Sequence, residues 1–418
     1  MPKANAHYPH LWRIMSSRGP WSMGYHQWCP IQHNTDACVH RSANNLDLST
    51  FCGSVTFPVG DCQDREYDLI VTTKDYLKDV SRNTPRMVVL GENVGEDLDH
   101  FVQKNSRWII DVMGGKGYEV LTSSVDPERL AFQKELDRLQ HRCTNFFTGA
   151  KGTYGFGSNW HTTGLALAHS MYYNMTLYPV DVYNNFIRST TCTDADMQRA
   201  FTAHHPESDF NKWNASTINF KSEGVDVHHL MWHKEIIKPE FQNKGLFWWR
   251  SMLTYYITRP NFKLREAIRQ RSTISAPCIS IHVRHSDKDT EATLLDFPKY
   301  MEVAKEVKAK TGISNIYLMS DDPVVISSTK SREYRNFRFH YMDVPRTNKG
   351  WESDAKDGIS LDVQEMNFLI DIYSAAQCQH IIVTYSSNVG RLIAEVAYAL
   401  RDKEPNAVSL DGPWMVYP

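Results

Sequence analysis

The chain has 418 residues, of which 41% are hydrophobic and 22% charged, and its formal net charge is −2. This length exceeds an ordinary single domain and predicts two or three domains, while the near-neutral charge disfavours a nucleic-acid-binding protein, which usually carries a basic surplus. No apolar run approaches the ~18 residues of a membrane-spanning helix, and the first residues lack the apolar segment of a signal peptide. We therefore expect a globular protein with no membrane segment in this chain.

The eight cysteines are widely spaced and form no C-x-x-C pair, which disfavours a zinc site and allows disulfides. Two N-glycosylation triplets begin at Asn174 and Asn214. Both features favour the secretory pathway, although no targeting segment is evident. Four of the cysteines lie before residue 65, so residues 1–125 are predicted to be a disulfide-stapled N-terminal region, and the sequence gives no indication of its role.

Short strands followed by helices are predicted in the first half of the chain. Apolar runs predict strands at 67–71, 87–90 and 108–112. Asp126 followed by Pro127 is a typical helix start, because the Asp side chain can cap the helix and proline suits its first turn. The later predictions are a Gly-rich turn at 152–158, a helix over 159–174, a strand at 175–178, a polar excursion over roughly 203–226 and a helix that ends at Arg259-Pro260.

Strands and helices alternate regularly from residue 277 onwards. Strands are predicted at 278–283, 314–319, 337–342 and 380–384, and helices at 297–310, after Pro323, at 361–376 and at 389–401. This alternation is typical of a parallel, doubly wound sheet. Such sheets bind ligands at the carboxyl ends of their strands, so the polar residues after each strand are the candidate site.

The first of these strands runs into a loop of cations and carboxylates that contains Arg284, Lys288 and Glu291. Arg284 is either a structural partner of a carboxylate or a clamp for a diphosphate, since guanidinium offers fixed, permanently charged donors. Lys288 and Glu291 are either a surface ion pair or a catalytic pair, in which Glu291 accepts the proton of a hydroxyl and Lys288 tunes its charge.

Other positions leave the same choice between structural and ligand-binding roles. Asp371 lies in an apolar helix, where a buried carboxylate needs partners; it either caps neighbouring backbone or accepts the N1–H and amino hydrogens of guanine. Ser386 and Ser387 either cap the following helix or bind phosphate at its N-terminus. Gly155 and Gly157 either make a turn or allow a ligand to approach the backbone.

Two patterns have the residue types of metal sites. Asp321-Asp322 matches the acidic pair that holds a divalent metal in some sugar transferases, but Asp-Asp-Pro is also a common turn, and such a metal needs more oxygen ligands than this pair supplies. His229 and His233 have helical metal-binding spacing, with His228 adjacent, but no acidic residue completes the H-E-x-x-H pattern. We therefore predict no metal site.

Taken in order, several motifs in roughly residues 140–418 resemble the α-1,6-fucosyltransferase family, glycosyltransferase family 23. These motifs are Gly155-Phe156-Gly157-Ser158-Asn159-Trp160-His161, Trp248-Trp249 with Arg259-Pro260, His282-Val283-Arg284 with Asp287-Lys288 and Thr290-Glu291, Ser320-Asp321-Asp322-Pro323, and Thr384-Tyr385-Ser386-Ser387-Asn388-Val389 with Arg391. Residues 1–125 do not resemble this family.

The resemblance implies an α/β, GT-B-like fold in which two Rossmann-like domains face a cleft. The implied domains are an acceptor-side α/β domain at 126–270 and a GDP-fucose-binding domain at 271–418. It also implies GDP-fucose as donor, a glycan acceptor, inversion at the anomeric carbon, no metal or other cofactor, a location in the Golgi lumen, a disulfide between Cys143 and Cys192, and compatibility with a homodimer.

The resemblance also implies roles for individual residues. His282 and Asp371 would hold guanine. Arg284 and Ser387 would bind the diphosphate. Glu291 would be the general base, with Lys288 beside it. The remaining implied residues are Asp321 and Asp322, which would support the site, and Ser386, Gly155, Gly157 and His161, which would lie at the substrate.

Two departures from the family pattern affect the expected activity. The family usually has a second Arg where this chain has His285, and the loop before Thr290 is one residue shorter. Because histidine near its ordinary pKa carries only part of a charge at pH 7, we expect weaker donor binding and an activity that falls as pH rises through the titration of His285. The shorter loop bears on the assignment of Glu291.

The leading hypothesis is transfer of fucose from GDP-fucose to a glycan hydroxyl, such as the 6-OH of N-acetylglucosamine. Three alternatives stay open at this point. They are an O-fucosyltransferase with another acceptor, a non-catalytic protein that binds a GDP-sugar or a glycan, and a metal-dependent transferase that uses Asp321-Asp322.

Overall fold

The computed structural model describes residues 37–40, 59–60, 69–73, 86–90, 108–111, 118–122, 127–147, 155–178, 185–204, 236–274, 277–285, 294–346, 360–401 and 404–415. For the residues up to 122 it describes the strands of the backbone. The side chains of the four N-terminal cysteines, the Asp126 helix cap and the polar excursion after residue 204 lie outside this part of the chain.

The N-terminal strands form a six-stranded sheet with the order β2-β1-β3-β4-β6-β5. Neighbours among the first four strands are parallel, and β6 pairs antiparallel with β4 and β5. The predicted strands are confirmed as β3, β4 and β5, shifted by at most two residues, whereas the other three were not predicted. The strands are β1 (Ala37–His40), β2 (Val59–Gly60), β3 (Leu69–Thr73), β4 (Arg86–Leu90), β5 (Trp108–Asp111) and β6 (Tyr118–Thr122).

Helices dominate the described residues between 127 and 257. The helix predicted over 159–174 is confirmed but begins earlier, at Phe156, and the strand after it pairs in parallel with a short strand that was not predicted. The elements are α1 (Pro127–Gln140), β7 (Phe146–Phe147), α2 (Phe156–Tyr172), β8 (Thr176–Leu177), α3 (Asp194–His204), a 3₁₀ helix (Pro239–Lys244) and α4 (Gly245–Ile257).

Aromatic side chains hold this helical part together. Phe132 of α1 packs edge-on against Phe241 and Trp248, with ring centroids 5.1 and 5.2 Å apart. Such pairs add about 0.5–1.5 kcal/mol to the free energy of their burial. Trp160 of α2 and Trp249 of α4 are each 1% exposed. The high aromatic content therefore goes, in this region, mainly into the core.

A five-stranded, fully parallel sheet occupies the C-terminal part, as the alternating pattern predicted. Its strand order is β11-β10-β9-β12-β13. The helix α5 and the strand β13 were not predicted. The elements are α5 (Phe262–Arg271), β9 (Ile279–Val283), α6 (Phe297–Thr311), β10 (Asn315–Ser320), α7 (Pro323–Ser328), a 3₁₀ helix (Arg332–Tyr334), β11 (Arg338–His340), α8 (Leu361–Ala376), β12 (His380–Val383), α9 (Asn388–Arg401) and β13 (Asn406–Ser409).

The two faces of this sheet carry different side chains. On β9, Ile279, Ile281 and Val283 pack with α6 in one apolar cluster. Because successive strand residues point to opposite faces, Ser280 and His282 lie on the other face, which α8 covers. Central parallel strands are buried on both sides, so a polar side chain on the α8 face is costly without a function or a partner.

Two disulfides lie among the described residues. Cys143 and Cys192, with Cα atoms 5.3 Å apart, join the end of α1 to the residue two before α3, as the family resemblance implied. Cys278 and Cys378 join the residue before β9 to the residue two before β12, and this pair was not predicted. Both disulfides favour an oxidising compartment.

Backbone contacts divide the chain into two compact units. One includes Phe262–Pro413, and therefore β9–β13 with α5–α9, while the other includes Ser124–Asn261, with α1–α4. The α/β class with parallel, Rossmann-like layers is confirmed. The domain boundaries at 125 and 270, and the facing of two domains across a cleft, stay predictions. Among the described residues, no helix combines the length and the apolar character needed to cross a bilayer.

We predict that Gly390→Ala destabilises the C-terminal domain. Gly390 lies in the first turn of α9, and a Cβ there would be 2.3 Å from the carbonyl oxygen of Thr384, so the turn between β12 and α9 would have to shift. Overpacking of this kind costs about 1–3 kcal/mol of unfolding free energy, which chemical denaturation can measure. Gly412→Ala is the matched control, because a Cβ at Gly412 meets nothing within 4 Å. Equal stability of the two variants would contradict the prediction.

Candidate active site

The order of strands in the C-terminal sheet reverses at β9. From β9 the chain proceeds outward to β10 and β11, and then returns to the other side of β9 with β12 and β13. In open parallel sheets, ligands bind outside the carboxyl ends of the strands at this point of reversal. Arg284 follows β9, and Ser386 and Ser387 follow β12, so the structure brings these predicted residues to the two sides of the reversal.

Arg284 pairs with the first carboxylate of the Asp321-Asp322 turn, which follows the neighbouring strand β10. Its Nη1 donates to Asp321 Oδ2, and the other oxygen of Asp321 accepts the backbone N–H of His285 at 3.0 Å. The Arg284 and Asp321 side chains are 25% and 22% exposed. The pair fixes the guanidinium at the edge of the sheet while part of it remains open to solvent.

His285 sits between two acceptors. Its Nδ1 lies 2.8 Å from Asp322 Oδ2 and its Nε2 lies 3.0 Å from the carbonyl oxygen of Leu295. Both ring nitrogens can be satisfied at once only by the doubly protonated ring. Burial lowers the pKa of His285, but the hydrogen bonds to Leu295 and Asp322 outweigh burial and raise it above its ordinary value. The expected fall of activity with rising pH stays a prediction. Because the pKa of His285 is raised, this fall is expected at a higher pH than for an ordinary histidine.

The pKa of His282 shifts in the opposite direction. It is 4% exposed, and burial lowers its pKa to about 4, with Arg284 adding to this effect and Asp321 opposing it. The ring is therefore neutral at physiological pH. Its Nδ1 is buried and has no hydrogen-bond partner among the described residues, so a donor or acceptor from a ligand could satisfy it.

Asp371 lies on α8, against the sheet face that carries His282. Its Oδ1 accepts a hydrogen bond from the Tyr317 hydroxyl at 2.6 Å, and burial raises its pKa to about 6. The carboxyl is thus ionised at pH 7 but close to neutralisation. An ionised carboxylate can accept two hydrogen bonds from a ligand edge that presents two donors.

The turn between β12 and α9 is held by Asp411, which follows β13. Asp411 accepts the backbone N–H groups of Tyr385 at 2.8 Å and Ser386 at 3.2 Å, and Ser409 donates to it as well. Burial raises its pKa, but these hydrogen bonds lower it to a net value below the ordinary one. Ser387, 4% exposed, follows this turn and directly precedes α9.

Three residues of this site were missed by sequence reasoning: Asp411, Tyr317 and Arg346. Arg346 donates to the carbonyl oxygens of Ser320, Val344 and Met342, and so ties the segment after β11 to the end of β10. The sequence signal that could have found Asp411 is its position just after a segment of alternating apolar residues, because such a segment predicts a strand and Asp411 follows its end. Tyr317 carried no local signal, because a tyrosine in a strand is ordinary.

The remaining predicted residues lie in the other unit or outside the described residues. Gly155 is the exposed residue before α2, while Gly157 and His161 are buried in α2, where the His161 carbonyl accepts a hydrogen bond from Arg250. These three belong to the unit with α1–α4. Lys288, Glu291 and the three histidines at 228, 229 and 233 lie outside the described residues.

Both carboxylates of the Asp321-Asp322 pair have protein partners. Asp322 Oδ1 caps α7 by accepting the N–H of Val324 at 2.7 Å, and its Oδ2 faces His285. Asp321 uses both oxygens on Arg284 and the His285 backbone. Within the described ranges, no group of three or more His, Cys, Asp or Glu side chains is arranged to hold a metal ion.

Residues 235–413 match the family model described as alpha-(1,6)-fucosyltransferase N- and catalytic domains. The resemblance to the α-1,6-fucosyltransferases is confirmed over this region. The match contains all of β9–β13, and therefore every residue that the structure brings to the reversal of strand order.

Curated relatives match a shorter part of the chain. An alpha-(1,6)-fucosyltransferase of Drosophila melanogaster is 25% identical over 165 residues, which are 36% of this chain and 25% of that protein. One of Caenorhabditis elegans is 25% identical over 151 residues, 34% of this chain and 26% of its own length. The chain thus matches about a quarter of the length of these relatives.

Solved structures of fucosyltransferases are also similar at low sequence identity. NodZ α-1,6-fucosyltransferase soaked with GDP-fucose is 14% identical, with a TM-score of 0.35, over 60% of this chain and 92% of that one. POFUT1 in complex with GDP is 10% identical, with a TM-score of 0.38, over 64% of this chain and 98% of that one.

We predict that the contribution of His285 to stability decreases as pH rises. Because its folded pKa lies above its ordinary value, the contribution is complete below about pH 6.5 and is lost as pH rises through the folded pKa. His285→Gln should therefore lower the unfolding free energy by about 1–2 kcal/mol near pH 6, given the worth of hydrogen bonds to charged groups, and by clearly less near pH 9.

His285→Arg is the companion variant, since a guanidinium stays charged across this range. The pH profile of its unfolding free energy should lack the inflection that titration of His285 gives the wild-type profile. If chemical denaturation gave the same difference between wild type and His285→Gln at both ends of the range, the doubly protonated ring would be excluded.

Proposed function

We propose that this protein is an inverting fucosyltransferase that transfers fucose from GDP-fucose to a glycan hydroxyl, with α-1,6 linkage to N-acetylglucosamine of an N-glycan core or a similar glycan. The observation that carries the proposal is that Arg284 and Ser387 follow β9 and β12, the neighbouring strands at which the strand order reverses, within the region that matches the family model. Asp371 lies on α8, which packs on the same sheet. The family resemblance supplies the donor and the linkage.

Departure of GDP is the step that Arg284 and Ser387 serve. As the bond between the anomeric carbon and the diphosphate breaks, negative charge grows on the leaving oxygen. A guanidinium fixed by Asp321 and the first turn of α9 are positive groups already aimed at that edge, so they stabilise this charge without reorganising. In this scheme the fixed geometry contributes more to catalysis than the strength of any one contact.

Recognition of guanine falls to Asp371 and His282. The guanine edge presents two donors, N1–H and the exocyclic amine, and an ionised carboxylate accepts both. Adenine presents an acceptor at the same place, so a carboxylate repels it. The buried Nδ1 of His282, which has no hydrogen-bond partner in the described part of the chain, offers one further hydrogen bond to the guanine.

Activation of the acceptor is assigned to Glu291 as general base, with Lys288 beside it, on the family resemblance. The attacking hydroxyl loses its proton to Glu291 as it bonds to the anomeric carbon on the face opposite the departing GDP, which inverts that centre. Asp321 and Asp322 take part by holding Arg284 and His285, and the occupied state of both carboxylates supports a mechanism without a metal ion.

The disulfides Cys143–Cys192 and Cys278–Cys378 support a secretory location, in which the protein acts on glycans in the Golgi lumen. On the family resemblance alone, Gly155, Gly157 and His161 are proposed to be substrate-binding residues. A second copy of the chain as partner, in a homodimer, stays a prediction.

The test of the function is a glycan-array transfer assay with GDP-fucose and EDTA, comparing wild type with Arg284→Ala. We expect fucose transfer in EDTA by wild type, and a loss of about 10²–10³ in kcat for Arg284→Ala, the usual effect of removing one donor to developing charge. Arg335→Ala, at an exposed arginine of the same domain, is the control and should retain full activity.

Each alternative has its own outcome in this assay. Transfer to peptides or other acceptors indicates another O-fucosyltransferase, and loss of activity in EDTA indicates metal dependence. GDP binding without transfer or hydrolysis indicates a non-catalytic protein. Near-normal turnover by Arg284→Ala would refute the diphosphate clamp.

We also predict that GDP binding by wild type weakens as pH falls through about 6, because burial raises the pKa of Asp371 to about 6 and the neutral carboxyl presents a hydrogen to the donors of guanine. Titration calorimetry of GDP from about pH 5 to pH 8.5 measures this. Asp371→Asn should bind GDP weakly at every pH and lose this inflection. If the ratio of the wild-type affinities for GDP and ADP stays constant across this pH range, Asp371 is not the group that recognises guanine.

A further inference from the structure

The carboxyl of Asp371 depends on a single direct donor. It lies in the interior of α8, 9% exposed, and its Oδ1 accepts the Tyr317 hydroxyl at 2.6 Å. Among the described residues, Tyr317 is its only hydrogen-bond partner. Tyr317 is itself fully buried on β10, opposite Ser280 in the register of the sheet. Its hydroxyl therefore reaches from the sheet face to the covering helix.

The other charges near Asp371 act from a distance. Arg346, which follows β11, donates hydrogen bonds from Nε, Nη1 and Nη2 to three backbone carbonyl oxygens at 2.8–2.9 Å. Arg271, from α5, donates to Asn367. Both lower the pKa of Asp371 without touching it. On β9, His282 is neutral because burial lowers its pKa to about 4.

The remaining helix packed on α8 is α9, which carries the buried Arg391 and Glu395, whose charges are opposite. Neither acts noticeably on Asp371, whereas the Tyr317 hydroxyl is the largest influence that opposes burial. Within the described ranges, Tyr317 is thus the group that both contacts the carboxyl and favours its charged form.

We propose that Tyr317 is a positioning residue, whose hydroxyl keeps the Asp371 carboxylate ionised and turned toward the guanine edge of the donor nucleotide. This inference rests on the proposed function, in which Asp371 reads guanine. Tyr317 itself does not touch the nucleotide. It acts by occupying one lone pair of Oδ1, which leaves the other lone pairs of the carboxylate for the two donors of guanine.

The test is Tyr317→Phe, measured by titration calorimetry of GDP from about pH 5.5 to pH 8.5. Loss of a hydrogen bond to a charged group should raise the pKa of Asp371 by about one unit. The affinity ratio of wild type to variant should then be about threefold near pH 6.5, larger below, and close to one near pH 8.5. The ratio cancels the titration of the nucleotide itself.

Two further variants separate this role from a packing effect. Tyr334→Phe removes the hydroxyl of another buried tyrosine of the same domain, whose ring packs on Phe297 and Phe339, and should leave the pH profile unchanged. In an Asp371→Asn background, Tyr317→Phe should have no effect that depends on pH, because the titrating group is gone. Thermal unfolding shows that each variant is folded.

Three results would overturn the inference. A Tyr317→Phe profile with the wild-type inflection shows that the hydroxyl does not control Asp371. A loss by the same factor at every pH shows a structural role or a direct contact. A pH-dependent loss that persists in the Asp371→Asn background shows that another group titrates. If wild type itself binds no GDP, the proposed function fails instead, which is a separate outcome.

Discussion

The position of β9 at the centre of the C-terminal sheet governs the rest of the site. The chain leaves β9 toward β10 and β11 and returns on its other side with β12 and β13. In open parallel sheets, such a reversal of strand order is the place where ligands bind, outside the carboxyl ends of the strands. Every group proposed to bind the nucleotide lies on these strands, directly after them, or on α8, which covers one face of the sheet. A sheet with the strands in sequential order would lack this reversal.

Carboxylates set the geometry of the site by binding the chain's own donors. Asp321 holds Arg284, Asp322 holds His285 and caps α7, and Asp411 holds the two amides before α9. Apart from the local cap of α7, each of these bonds links segments that follow different strands. Donors fixed in this way need no rearrangement when charge develops on a ligand, which is the condition for electrostatic stabilisation of a transition state.

The two histidines of the same segment show how environment separates identical side chains. His282 lies on the α8 face of the sheet and is neutral, because burial lowers its pKa to about 4. His285 lies between a carboxylate and a carbonyl, and these hydrogen bonds raise its pKa above the ordinary value. Their proposed roles differ accordingly. His282 can bind the guanine base, whereas His285 links the Asp322 turn to Leu295 by hydrogen bonds. Such separation of pKa values is common in sites that bind and transform charged ligands.

The sequence by itself determined the alternation of strands and helices after residue 277, the positions of Arg284, Asp321, Ser387 and Asp371 relative to those elements, and the family resemblance. These are local properties, because periodicity and strand ends depend on residues that are neighbours in the sequence. Protonation states, and the partners Tyr317 and Asp411, were decided only by the tertiary structure. Tyr317 lies 54 residues from Asp371, and Asp411 lies 26 residues from Tyr385, so their contacts depend on strand order and register, which no local pattern encodes.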